Sequence, residues 1–254
     1  MTQTEQLGMN RTGIQMSPLD SRAMQDVGGA GPDAFFDDSG IANLRNDYIV
    51  NADLLGSVPL PATLKGVAKA GVAALKGDSP HILLDKLGER LAFERTGARL
   101  YDALITKCEA MLDGTLSMSI DDLQEIRDDE ARHFLTVARA IEALGGDATS
   151  QTPSADLVGV ESMGLVQVLN DPRTTIAQSL HALLTAELAD QAGWESLIAL
   201  AEEQEQYDMV GEFTVALDEE RGHLLMVQSW YEEAIGIPGV REIDDDNELE
   251  ELPP

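Results

Sequence analysis

The chain has 254 residues, 46 of them Asp or Glu and 17 Lys or Arg, for a formal net charge of −29 with 43% hydrophobic residues. That apolar content suffices for one large domain or two small ones and excludes wholesale disorder, while the charge argues against nucleic acid, whose phosphates are held by Lys and Arg. Cys108 is the single cysteine, so an intrachain disulfide, a CxxC pair, a zinc ribbon and a rubredoxin-type iron centre are excluded, and any metal must be held by Glu, Asp or His.

In chain order, the amino-terminal MTQTEQLGMNRTG lacks the basic patch and apolar core of a signal peptide. No apolar run approaches the roughly 20 residues needed to span a bilayer, so a soluble, cytoplasmic protein without a membrane span is expected. Residues 1–80 are rich in Gly, Pro, Asp and Ser and predict a partly irregular arm with short helices, the best over 61–76, PATLKGVAKAGVAALK. Helical periodicity then runs from about Pro80 to Gly114, and again from Ser119, with Asp122 completing a capping box, to Gly145-Gly146. A third helix is expected from Pro172 to about residue 203, and a fourth over about 206–235, closed by Gly236 and Pro238. Residues 236–254 read as a solvated acidic tail. The connections at 115–118 and 204–205 are short and make antiparallel hairpins, whereas 146–171 can travel the length of a bundle and has room for a short helix. No strand alternation is evident. The expected fold is all-α, a four-helix bundle over residues 81–235 with one long crossover.

The apolar stripes of these helices are interrupted in a regular way. The first runs Leu84, Leu87, Leu91, Glu94, Ala98, Tyr101, Ile105, and the second Leu123, Ile126, Glu130, His133, Val137, Ala140. The third runs Ile176, Leu180, Leu183, Glu187, Asp190, Trp194, Leu197, and the fourth Phe213, Ala216, Glu220, His223, Val227, Trp230. Each carries a carboxylate near its middle, and in the second and fourth a histidine follows at i+3 on the same face. Buried carboxylates without partners cost several kcal/mol each, and no Lys or Arg is expected in the same stripes to neutralise them. Two divalent cations would balance four glutamates, with imidazole as a further ligand for iron, manganese or zinc. Glu94 precedes Glu130 by 36 residues and Glu187 precedes Glu220 by 33, so the two halves repeat one plan. Asp190 faces the core as a candidate seventh ligand, a further carboxylate at one metal, and the small Gly97 and Ala98 are expected to leave space beside the metals for a small oxidant.

The ordered set Glu94, Glu130-Ala131-Arg132-His133, Glu187 and Glu220-Arg221-Gly222-His223 resembles the ligand set of the ferritin-like di-metal carboxylate proteins, bacterioferritin and rubrerythrin among them. The resemblance implies two metal ions, iron with manganese or a mixed pair as options, held by Glu94, Glu130, His133, Glu187, Glu220 and His223. It implies that Asp129 faces His223 and Glu219 faces His133, each taking the outer N–H of a ligating imidazole. It implies that Tyr101 hydrogen-bonds a glutamate across the pair, and makes its phenol the candidate catalytic group able to supply an electron. Trp194 holds the matching place after Glu187, and an extra glutamate in rubrerythrin-like proteins corresponds to Asp190. His81 and His181 lie outside the pattern, and Cys108 reads as an inert core residue.

The implied activity is that of an oxidoreductase acting on hydrogen peroxide, dioxygen or ferrous iron, a rubrerythrin-like peroxidase or a ferroxidase. A peroxidase would take its electrons from an external donor. Alternatives are a manganese catalase-like enzyme, ferritin-type iron storage, or a module that keeps metal for stability alone. The expected assembly is a homo-oligomer, a dimer foremost.

Overall fold

A computed structural model of the chain describes residues 18–29, 39–53, 55–59 and 80–237. The helix expected over 61–76 and the acidic tail from residue 238 onward lie outside these. The chain divides after Gly56 into two compact units. The first contributes α1 (Pro18–Gly29) and α2 (Ser39–Asn51).

The second unit contains α3 (Pro80–Met111), α4 (Ile120–Leu144), α5 (Pro153–Glu161), α6 (Met163–Asn170), α7 (Ile176–Glu203) and α8 (Tyr207–Ala234), and the described residues include no strand. None of these helices is long and apolar enough to cross a membrane. The expected boundaries of α4 follow from its caps. Ser119 and Asp122 exchange side-chain and backbone hydrogen bonds at the start, and Gly145, in the left-handed conformation at φ 86°, ends it.

Helix α7 starts at Ile176 rather than Pro172. The Asp171 side chain accepts from the backbone N–H of Arg173 and folds residues 171–174 into a turn, after which Thr175 caps the helix in a box with Gln178. The crossover holds two short helices, α5 and α6, instead of one. It is fastened to α3 at both ends: Asp85 accepts from the backbone N–H and hydroxyl of Ser154, and Lys107 donates to the Asp171 carbonyl and to the hydroxyls of Thr174 and Ser179.

The four long helices pack as two pairs, α3 with α4 and α7 with α8, and the pairs meet through α3 against α7 and α4 against α8. Their directions follow from two apolar clusters. One collects Leu83, Leu87, Val137, Trp194, Leu197 and Phe213, the other Leu100, Leu104, Leu123, Ile126, Leu183 and Val227. Helices α3 and α8 therefore run from the first cluster to the second, and α4 and α7 run the opposite way. Since α4 ends where α7 does not begin, the crossover must traverse the length of the helices. Between the clusters every long helix carries polar residues at one level.

Candidate metal centre

That level holds Glu94 from α3, Glu130 and His133 from α4, Glu187 and Asp190 from α7, and Glu220 and His223 from α8, all at most 3% exposed. One ligand-type atom from each of Glu130, Glu187, Glu220 and His223 lies within 4.8 Å of the others. The same holds for Glu94, His133 and Glu220, and for Glu94, Glu130, Asp190 and Glu220. Glu220 belongs to all three groups, which places its carboxylate at the middle. The structure thus brings together every residue that the stripes singled out as a candidate ligand.

Both imidazoles turn Nδ1 inward and Nε2 outward. His133 Nδ1 lies 2.6 Å from Glu220 Oε1, and His223 Nδ1 lies 3.3 Å from Glu220 Oε2. Outward, His133 Nε2 meets Glu219 Oε2 at 2.7 Å and His223 Nε2 meets Asp129 Oδ2 at 3.1 Å. These are the pairings implied by the sequence resemblance. An Nε2–H donated to a carboxylate leaves Nδ1 facing the cluster, so that loss of the Nδ1 proton to metal would give the tautomer that ligation needs. Arg132, half-exposed, bonds both Asp129 and Glu219, so the outer partners of the two histidines share one guanidinium. On the other side of the layer, Tyr101 donates its phenol to Glu187 Oε1 at 2.5 Å.

Arg90 overturns the expectation that the stripes contain no base. Only 4% exposed, it places Nε 2.7 Å from Glu94 Oε1 and Nη1 3.1 Å from Asp190 Oδ1, and Nη1 also donates to the Asp190 carbonyl at 3.0 Å. Its guanidinium lies 4.4 Å from the Phe93 ring centre and 5.6 Å from that of Trp194. A Cβ at Gly193 would overlap Nη1, so glycine there is what admits the arginine against α7. Arg90 was legible in principle: it is one helical turn before Glu94, in the series Leu83, Leu87, Arg90, Glu94. A series read through Leu84 and Leu91 passes beside it. The space expected beside Gly97 is also filled, because a Cβ at that position would overlap the Glu130 carboxylate. Ala98 is half-buried.

The charges of the layer are mutually tuned. Burial pushes the Glu94 carboxyl up to about 7 in spite of Arg90, and burial together with the charge of Glu220 pushes Glu187 up to about 8. Glu130 and Asp190 are raised well above the ordinary range, by burial first and neighbouring carboxylates next, Arg90 opposing the rise at Asp190. Glu220 is the exception: burial works to raise it, but the two histidines prevail and hold it at about 2. His133 is raised to about 9, the Glu220 and Glu94 carboxylates overcoming the opposite effect of burial. Tyr101 is raised by burial and by Glu187.

No model of a known protein family, no curated protein and no solved structure shows significant similarity to this chain.

Glu130 Oε2 and Glu187 Oε2 are buried acceptors with no hydrogen-bond partner, among oxygens close enough to one another to share a cation. Hard carboxylate oxygens with two inward imidazole nitrogens suit a first-row divalent metal. Ionised, the four glutamates and Asp190 carry five negative charges, of which Arg90 offsets one. Two divalent cations would offset the other four. Cys108 is buried and its thiol is pushed up to about 11 by burial, consistent with an inert core residue. His81 and His181 are exposed and lie outside the layer. A surface cleft of about 480 Å³ at the α7–α8 turn, lined by Arg139, Glu205, Tyr207 and Glu212 among others, shares no residue with the layer.

Proposed function

We propose that residues 81–235 form a ferritin-like four-helix bundle around a di-metal carboxylate centre, and that the chain is an oxidoreductase acting on hydrogen peroxide, dioxygen or ferrous iron. The observation that carries this reading is the convergence of Glu94, Glu130, His133, Glu187, Glu220 and His223, from four helices, at one buried level with both Nδ1 atoms turned inward. In this reading Glu94 and His133 would hold one ion and Glu187 and His223 the other, with Glu130 and Glu220 as further ligands. Iron is the favoured metal, with manganese or a mixed pair as options. When bound, a pair of redox metals would supply two-electron exchange with a small oxidant, which the side chains of this protein cannot perform alone.

The roles of the chain's own residues follow. Glu219 and Asp129 fix the tautomer and angle of the two imidazoles, and Arg132 holds both acids in place. Tyr101 orients Glu187 through its hydrogen bond and is the phenol nearest the centre from which an electron could be drawn. The apolar clusters above and below exclude bulk water, which suits a small oxidant better than a bulky substrate. Electrons for a peroxidase cycle come from an external donor, since Cys108 alone cannot build a rubredoxin-type relay.

Elemental analysis of the purified chain, followed by peroxide and ferrous-oxidation assays, tests the reading. We expect about two metal ions per chain, as the di-metal ligand pattern requires. Glu130→Ala and His223→Ala should each lower occupancy clearly. Unchanged occupancy in both variants would remove those residues from the site, and a metal-loaded protein inactive in both assays would leave a structural metal centre in place of an enzyme.

A further inference from the structure

We infer that Arg90 stands where a third cation would otherwise bind, and that its guanidinium limits the layer to two metal ions. The inference rests on the di-metal reading and deepens it by assigning a role to the residues which that reading leaves over, Arg90 and Asp190.

Oxygens from Glu94, Glu130, Asp190 and Glu220 lie within 4.8 Å of one another; the three glutamates already belong to the di-metal reading, so Asp190 is the donor that a third divalent ion would add by sharing them. Two of these carboxylates are engaged by a single arginine, which reaches Glu94 through Nε at 2.7 Å and Asp190 through Nη1 at 3.1 Å. Its Nη2 is buried with no hydrogen-bond partner. The guanidinium is fixed from all sides: the Asp190 carbonyl accepts from Nη1, the rings of Phe93 and Trp194 flank it, and Gly193 leaves just the room it needs. A side chain so enclosed cannot swing into solvent to make way for an ion.

The pseudo-symmetry of the two halves shows what the device replaces. Asp190 follows Glu187 by three residues, and the matching place after Glu94 is Gly97, against which the Glu130 carboxylate lies. The extra carboxylate therefore exists on one side only, and so does the arginine that faces it. With both present the net charge of the layer remains that of four glutamates. Removing the arginine frees the Glu94 and Asp190 oxygens it engages and leaves the layer one charge short of balance, which opens a place for a cation among these carboxylates. Asp190 in the native protein is thus the partner of Arg90 rather than a ligand.

The test is a count of manganese ions bound by the full chain, by equilibrium dialysis with elemental analysis, in parallel with circular dichroism to establish folding. The wild type should bind about two ions, as the di-metal pattern requires. Arg90→Ala and the less disruptive Arg90→Gln should bind about three, the added ion taking the oxygens that the guanidinium held. Arg90→Lys, which keeps the charge, should stay at about two. Combining Arg90→Gln with Asp190→Asn should return the count to about two, and Asp190→Asn alone should leave it there, since only the arginine's partner is lost. Folded Arg90→Gln protein that still binds two ions, or loss of an ion from Asp190→Asn, overturns the inference while leaving the di-metal centre standing. A wild type that binds no manganese and no iron overturns both.

Discussion

A methyl group added at Gly97 would overlap the Glu130 carboxylate, which cannot retreat because Glu220 and Glu94 crowd it from the other helices. Gly97→Ala should therefore fold, since alanine favours helix, yet bind metal at least about tenfold more weakly, the usual scale for a displaced ligand or its supporting group. Titration with ferrous or manganous ion under anaerobic conditions measures this, and wild-type affinity would show that Glu130 is free to move. Individual residues were legible in the sequence to the extent that their spacing was diagnostic. The Glu-x-x-His pairs stood out because a charged residue on an apolar stripe is costly and four in register are not accidental. Arg90 escaped because arginine is ordinarily a surface residue. Its burial becomes evident only when Gly193, on the distant helix α7, is seen to make room for it.

At the scale of elements, the crossover depends on Lys107. Its ammonium satisfies the Asp171 carbonyl and two hydroxyls where α6 gives way to α7, and burial lowers its proton affinity in spite of Asp171. Lys107→Ala should lower unfolding stability by about 1–3 kcal/mol through the acceptors it strands, with the number of bound metal ions unchanged. Denaturant titration checks the first part and metal analysis the second; loss of metal would mean that the crossover also holds the centre in shape. The helices themselves were readable where a local signal closed them, as with Ser119, Asp122 and Gly145 around α4. The start of α7 was misplaced because Pro172 suits a helix N-terminus, and nothing local announces that Asp171 folds the next residues into a turn instead. The expected order of two hairpins joined by a long link rested on loop length alone, and the antiparallel directions of α3 against α4 and α7 against α8 agree with it. The break between compact units after Gly56 had no comparable signal in a stretch rich in Gly and Pro throughout.

For the molecule as a whole, proton binding and metal binding should oppose each other. In the metal-free fold Glu94 rises to about 7, Glu187 to about 8 and His133 to about 9, each above its ordinary value. Groups raised in this way stabilise the fold fully below their ordinary values and lose that contribution as pH climbs through the raised ones. Glu220, held at about 2, acts in the opposite sense but only in acid, below the carboxylate range. Metal-free protein should thus become easier to unfold between about pH 5 and 9, whereas protection by added metal should grow, because ligation expels the same protons. Denaturation midpoints with chelator and with metal, at constant ionic strength, test the crossing of these trends; a chelated protein that gains stability with pH would contradict it. The net charge of −29 carries a further expectation. Raising sodium chloride from about 0.1 to 1 M shortens the screening length from about 10 to 3 Å, relieves self-repulsion, and should raise the melting temperature by a few degrees. A melting temperature that falls instead would show that ion pairs outweigh that repulsion. Finally, Tyr101 with Glu187, Arg90 with Asp190, His133 with Glu219 and His223 with Asp129 all reach from one hairpin to the other. A hairpin standing alone can leave its acids hydrated at little cost, so the electrostatic burden arises only when the halves close on each other. Cations bound there would act as mortar between two prefabricated walls, strengthening the join without building either wall.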